Sequence, residues 1–124
     1  MKVCVTSTGD NLDVIVDPRF GRCAYFVIVD PESLDFKAMA NPNLSATGGA
    51  GIQSAQLVAK EGAEAVVTGN VGPNAFQTLS SLGLKIYTGA AGTIKEVIQQ
   101  YKDGKLKEMS GPSVSGHSGM GGGK

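Results

Sequence analysis

The feature that most constrains this chain is a short internal repeat. Thr68-Gly69-Asn70-Val71-Gly72 and Thr88-Gly89-Ala90-Ala91-Gly92 both read T-G-x-x-G. Each copy follows a short β-prone run, Ala65–Thr68 and Lys85–Thr88, and precedes a segment with helical period. Two like βα units in succession require parallel neighbouring strands joined by right-handed crossovers. Each repeat is then a turn that leaves the carboxyl end of a strand and enters a helix.

The flanking residues fit that reading. Pro73 stands where a first helical residue belongs, because the N–H it lacks has no intrahelical partner there. Phe76, Leu79 and Leu82 follow, and Gly83 stops the helix. Thr93-Ile94-Lys95-Glu96 is a capping box, and Ile94, Val97, Ile98 and Tyr101 form an apolar stripe that ends at Gly104. Upstream, Ile52, Ala55, Val58 and Ala59 are expected to share the buried face of a helix that begins near Gly51 and stops at Gly62. Lys2–Thr6, Tyr25–Asp30 and Asp35–Ala40 read as strands, the last two a hairpin around Pro31-Glu32-Ser33. Val14-Ile15-Val16 is a further extended stretch.

The element order β, β-hairpin, α, β, α, β, α predicts a single three-layer α/β domain of the ribonuclease H-like kind. Its five-stranded mixed sheet has order 3-2-1-4-5, with strand 2 antiparallel and three helices. Residues 1–107 form this domain. Residues 108–124, Gly- and Ser-rich from Ser110 on, are expected as a flexible tail, since they cannot bury enough apolar surface to offset the entropy of ordering.

Composition narrows the function. Lys plus Arg equals Asp plus Glu, 11 each, so no basic excess marks a general nucleic-acid binder. No run of about 18 apolar residues exists to span a membrane, and the N-terminus has no signal-peptide pattern, so a cytoplasmic protein is expected. Cys4 and Cys23 then read as free thiols.

In an open parallel sheet ligands bind beyond the carboxyl ends of the strands. The turns carrying Gly69, Asn70, Gly72 and Asn74, and Gly89 and Gly92, lie at those ends. Helix N-termini offer unpaired N–H groups and partial positive charge, and glycines let a ligand come close. Arg19 and Arg22 add fixed charge from the loop Arg19-Phe20-Gly21-Arg22-Cys23. Phe20 either walls a pocket or joins the core. These residues together predict a site for an anion. The alternative for each glycine turn is pure geometry: a tight bend that lets a helix pack close to the sheet. Gly48-Gly49-Ala50-Gly51 opens the first helix, which is expected to start at the opposite end of the sheet if its crossover feeds strand 4 normally; the alternative is that its long preceding loop folds back over the site.

Other chemistries find little support. Cys23 near Arg22 is a candidate soft-metal ligand, or else a small core residue; Cys4 is core. His117, with Met120 nearby, lies in the tail and reads as solvated rather than metal-bound. There is no C-x-x-C, H-E-x-x-H or phosphate-binding G-x-x-x-x-G-K-[ST]. No carboxylate sits on the first strand for a two-metal nuclease. Asp10, Asp13, Asp17 and Asp30 read as turn residues. The chain is therefore expected not to be an enzyme.

D-P-R-F-G-R-C-x-Y-F at Asp17–Phe26, G-G-A-G-I-Q-x-A at Gly48–Ala55 and T-G-N-V-G-P-N-A-F at Thr68–Phe76 resemble the dinitrogenase iron–molybdenum cofactor biosynthesis family, over roughly residues 1–107. The resemblance implies a ribonuclease H-like fold, non-catalytic binding or carriage of an iron–molybdenum–sulfur or related metal–sulfur cluster, and metal-cofactor assembly proteins as partners. Nitrogenase carrier members look like H-F-G where this chain has Arg19-Phe20-Gly21. Arginine is not a usual metal ligand, so an electrostatic hold is expected in its place. The alternatives are a small-anion or nucleotide-binding regulatory module on the same loops, and an interaction module acting through the tail.

Overall fold

The computed structural model describes residues 1–42 and 50–109. Its elements are β1 (Val3–Ser7), β2 (Tyr25–Val29), β3 (Phe36–Ala40), α1 (Ala50–Lys60), β4 (Ala65–Val67), α2 (Pro73–Ser81), β5 (Lys85–Thr88), α3 (Ile94–Lys102) and β6 (Lys107–Glu108). They build one mixed sheet of order β3-β2-β1-β4-β5-β6. β1 pairs parallel with β4, and β4 with β5, in the register Cys4–Val66–Ile86. β2 is antiparallel to both β1 and β3, so β3 runs in the same direction as β1.

Alternation along the central strands divides the core in two. Cys4, Phe26, Ile28, Val66 and Ile86 face one way and pack against Ala55, Val58, Ala75 and Leu79 of α1 and α2. Val3, Val5, Val27, Val29 and Val67 face the other way and pack against Ile94, Val97 and Ile98 of α3. Fully burying one such Val, Leu or Ile contributes about 1.5–3 kcal/mol. That exceeds the few tenths by which local propensities differ, so packing fixes the layers. No helix among the described residues is long and apolar enough to cross a membrane.

The structure departs from the sequence expectation in three places. The sheet has six strands rather than five. β6 pairs Lys107 with Thr88 and Glu108 with Tyr87, and the Met109 N–H donates to the Ile86 carbonyl at 2.9 Å. A two-residue strand of exposed charged residues carries no alternation to read. The buried face of α1 is Ala50, Ser54, Ala55 and Val58, and Ile52 is exposed. α1 packs against α2 as well as against the sheet, which rotates its buried stripe toward small residues. Finally, because β3 runs with β1, the chain leaves it at the carboxyl edge and α1 starts there, not at the opposite end. Residues 110–124, including His117, lie outside the described residues, as do Gly48 and Gly49.

Candidate functional site at the carboxyl edge

The 17–23 loop is fixed across the ends of β1 and β4 by buried polar groups. The Thr6 hydroxyl donates to the Asp17 carbonyl at 2.6 Å and lies 2.7 Å from the Thr68 hydroxyl, which is placed to donate to it. The Asp17 N–H donates back to the Thr6 carbonyl at 3.0 Å. The loop then pairs with the first repeat: the Asn70 N–H donates to the Pro18 carbonyl at 2.7 Å and the Phe20 N–H to the Asn70 carbonyl at 3.3 Å. Arg19 and Asn70 thus sit side by side in a parallel bridge. On the far side Asn41, just past β3, donates through its side-chain amide to the carbonyls of Gly21 (3.1 Å) and Cys23 (2.9 Å).

Three backbones meet beside this loop. Gly21 has φ +92°, and a Cβ there would lie 3.1 Å from Cα of Gly51. A Cβ on Gly51 would lie 3.0 Å from Cβ of Ala75. The loop, the start of α1 and the start of α2 therefore converge on one corner of the carboxyl edge. Gly69 has a packing role as well: a Cβ there would strike Pro18 at 2.6–2.8 Å, so Pro18 fills the side of this glycine where a side chain would stand.

The two T-G-x-x-G turns differ in what they leave open. At α3 the Ile94 and Lys95 N–H groups donate to the carbonyls of Val14 and Leu12, each at 2.9 Å. The Glu96 N–H donates to Thr93 Oγ1 at 3.1 Å and the Thr93 N–H to Glu96 Oε1 at 2.8 Å. The strand-like 12–16 segment and the capping box together satisfy that helix end, and Gly92 gives its carbonyl to the Val16 N–H at 2.9 Å. Gly89 and Gly92 thus shape a turn whose following donors are already taken. At α2 the cap is Gly72, without a side-chain bond, followed by Pro73. No acceptor among the described residues meets the N–H groups of Asn74 and Ala75. This turn, with Asn70 beside Arg19, keeps the donors an anion would use.

Charge at the corner is smaller than two arginines suggest. Asp17 is only 4% exposed. Its Oδ1 accepts from the Arg19 N–H at 3.1 Å and from Nε at 3.2 Å, and its Oδ2 accepts from Nη2 at 3.3 Å. The Arg19 side chain is 65% exposed, and this bidentate hydrogen bond and the charge of Asp17 raise its pKa further above the ordinary guanidinium value. Arg22 is exposed and has no carboxylate partner among the described residues.

Two candidate ligands prove to be core. The Phe20 ring is buried with its centroid 6.0 Å from that of Phe26. Cys23 is fully buried, and burial first, then the charge of Asp17, pushes its thiol up to about 12. Cys4 is also buried, and desolvation raises it well above the usual thiol range. Neither supplies a thiolate near neutral pH. Among the described residues no group of three or more His, Cys, Asp or Glu side chains is placed to hold a metal ion. The largest of the described cavities, about 470 Å³, opens near Tyr87, Tyr101 and Met1 at the opposite end of the sheet and holds none of the predicted residues.

Comparison with known families matches residues 1–104 to the family described as dinitrogenase iron–molybdenum cofactor. The chain belongs to that family. An uncharacterized protein of Methanocaldococcus jannaschii is 33% identical over 112 residues, covering 88% of this chain and 92% of the relative. Among solved structures, the apo form of the orange protein from Desulfovibrio gigas is 40% identical with a TM-score of 0.87, covering 90% of this chain and 95% of that one. A NifB-like Thermotoga protein of the DUF35 family is 35% identical with a TM-score of 0.80, covering 93% and 98%. For this member of the dinitrogenase iron–molybdenum cofactor family, the comparisons support a small cofactor-related protein.

Sequence reasoning read Asp17 only as a turn residue, and missed Thr6, Asn41 and Gly51 as parts of the site. The sequence signal for Asp17 was its place two residues before Arg19, the spacing at which a short carboxylate reaches the following backbone N–H. For Thr6 and Asn41 no local signal exists, since their partners are 11 to 62 residues away.

Proposed function

We propose that this protein binds, and passes on, an anionic metal–sulfur cluster or its precursor at the carboxyl edge, without catalysis of its own. The supporting observation is the corner where the Arg19–Arg22 loop meets the uncapped start of α2 in a chain of this family. Arg19, Gly21, Arg22, Asn70, Gly72 and Asn74 would surround the cargo. Gly69 and Phe20 support them from beneath. The available groups are guanidinium and backbone or amide N–H donors, not thiolate or imidazole. They suit outer-sphere hydrogen bonds to cluster sulfur rather than bonds to metal. The sheet order, with only β2 and β6 reversed, supports a ribonuclease H-like scaffold. The reading places the protein in the cytoplasm with metal-cofactor assembly proteins as donors and acceptors of the cargo.

The test is anaerobic titration with an iron–sulfur or iron–molybdenum–sulfur cluster, followed by gel filtration and absorption spectroscopy. A charge-transfer band that travels with the protein is expected, weakened at least about tenfold by Arg22→Glu, which reverses a charge that has no internal partner. Colourless protein with every cluster tried sinks the reading. The uncapped α2 terminus also favours a second reading, a small oxyanion or nucleotide. In that case millimolar phosphate or nucleotide raises the melting temperature by linkage while clusters do not.

A further inference from the structure

An anion-binding corner should not need a carboxylate, yet this one has Asp17, buried and bound to Arg19 through both oxygens. The pair is built in rather than incidental. Asp17 also accepts the Arg19 backbone N–H, and its own carbonyl and N–H are tied to Thr6. The guanidinium is thereby held in one orientation, with Nε and Nη2 committed to Asp17 and Nη1 remaining for a ligand. The charge of Arg19 is cancelled, which leaves Arg22 as the unpaired cation of the loop among the described residues.

We infer that Asp17 tunes this site toward weakly hydrated, sulfide-type anions and against hard oxyanions; the inference rests on the carboxyl-edge reading above. A compact oxyanion holds water strongly and must recover that hydration from opposing charge. A corner with near-neutral Arg19–Asp17 and one exposed arginine offers little of it. A sulfide-rich anion with the same charge spreads it over larger, softer atoms. It sheds water more readily, so directional N–H donors and one Arg edge suffice. The same cancellation keeps the hold weak enough for transfer.

Tetrathiomolybdate and molybdate make a matched pair of probes: both are tetrahedral dianions, one with sulfur and one with oxygen at the surface. Anaerobic equilibrium dialysis of the full chain, with molybdenum measured by elemental analysis, should give the wild type at least about tenfold preference for the sulfide in 50 mM salt. Asp17→Asn keeps an acceptor for the Arg19 N–H and removes the charge. It should tighten molybdate about tenfold but tetrathiomolybdate only about twofold at that salt, so that the preference shrinks, and most of the gain should be lost in 500 mM salt. Equal binding of the two anions by wild type overturns the inference while leaving the site intact, and this arm needs no variant. An unchanged preference in Asp17→Asn, or weaker binding of both anions, also overturns it, since a purely bracing Asp17 predicts that result. If neither anion binds wild type and clusters fail too, the carboxyl-edge reading falls and takes this inference with it.

Discussion

The turns after β4 and β5 share a sequence pattern and do different work. In both, a threonine at the strand's end or just past it is followed by two glycines that lead into a helix. After β5 the helix start is closed by the Thr93–Glu96 box and by the carbonyls of Leu12 and Val14. After β4 it is roofed on one side by Pro18, has no side-chain cap at Gly72, and leaves the N–H groups of Asn74 and Ala75 without an acceptor among the described residues. The lesson is that a glycine pattern specifies a backbone path, while the segment that happens to cross it decides whether donors remain. Here the crossing segments are both parts of one connection, the one between β1 and β2. Its first half seals α3, and its second half brings Arg19 beside Asn70.

Substitutions can break that contrast, the first glycines most sharply. Gly69→Ala drives a methyl into Pro18 and should cost about 3 kcal/mol, at the upper end of overpacking effects. Gly89→Ala meets nothing within 4 Å but keeps a φ of +77°, a strain of about 1 kcal/mol. Chemical denaturation of the two variants measures the difference, and equal losses would contradict the packing role of Gly69. Next, Thr93→Ala removes a cap that only the second turn possesses and should cost about 1 kcal/mol. It should also expose the amide of Glu96 to faster hydrogen exchange.

The threonines should divide the same way. Thr68→Val removes a buried hydroxyl bonded to Thr6 and should cost about 1 kcal/mol, whereas Thr88→Val, at a half-exposed position, should stay within about 0.5 kcal/mol. The smallest stability effect belongs to Gly72→Ser, at φ −77° and ψ 172°. A serine cap there should gain only a few tenths of a kcal/mol. Its side chain would compete for the N–H groups of Asn74 and Ala75, so binding of a cluster or of tetrathiomolybdate should weaken more than stability changes. A serine variant that binds as tightly as wild type would show that those donors do not face the cargo.

The sequence was most informative where one local rule decides the outcome. Pro73 and the Thr93–Glu96 box gave the helix starts, Gly62, Gly83 and Gly104 the stops, and the β-prone runs five of the six strands in their observed order. What stayed hidden was contact between distant segments. That Pro18 fills the space at Gly69, that Val14 serves Ile94, and that Gly51 rests on Ala75 depend on how the connection after β1 folds over the sheet edge, and no spacing encodes that. Cys23 and Phe20 illustrate the same limit. Both types suit a pocket or a core, and only the closing of α1 and α2 over them assigns both to the core. β6 escaped notice because Lys107 and Glu108 belong to the sheet by backbone bonds alone.

The sealed sulfurs of Cys4 and Cys23 carry a practical consequence. Thiols that cannot ionise near neutrality offer alkylating agents and peroxide little to attack, so Cys4 and Cys23 should stay unmodified in the folded protein under conditions that would consume an exposed thiolate. On the proposed reading, damage during exposure to air would then fall on the cargo and on the exposed thioether of Met1, and the folded core would survive to be filled again.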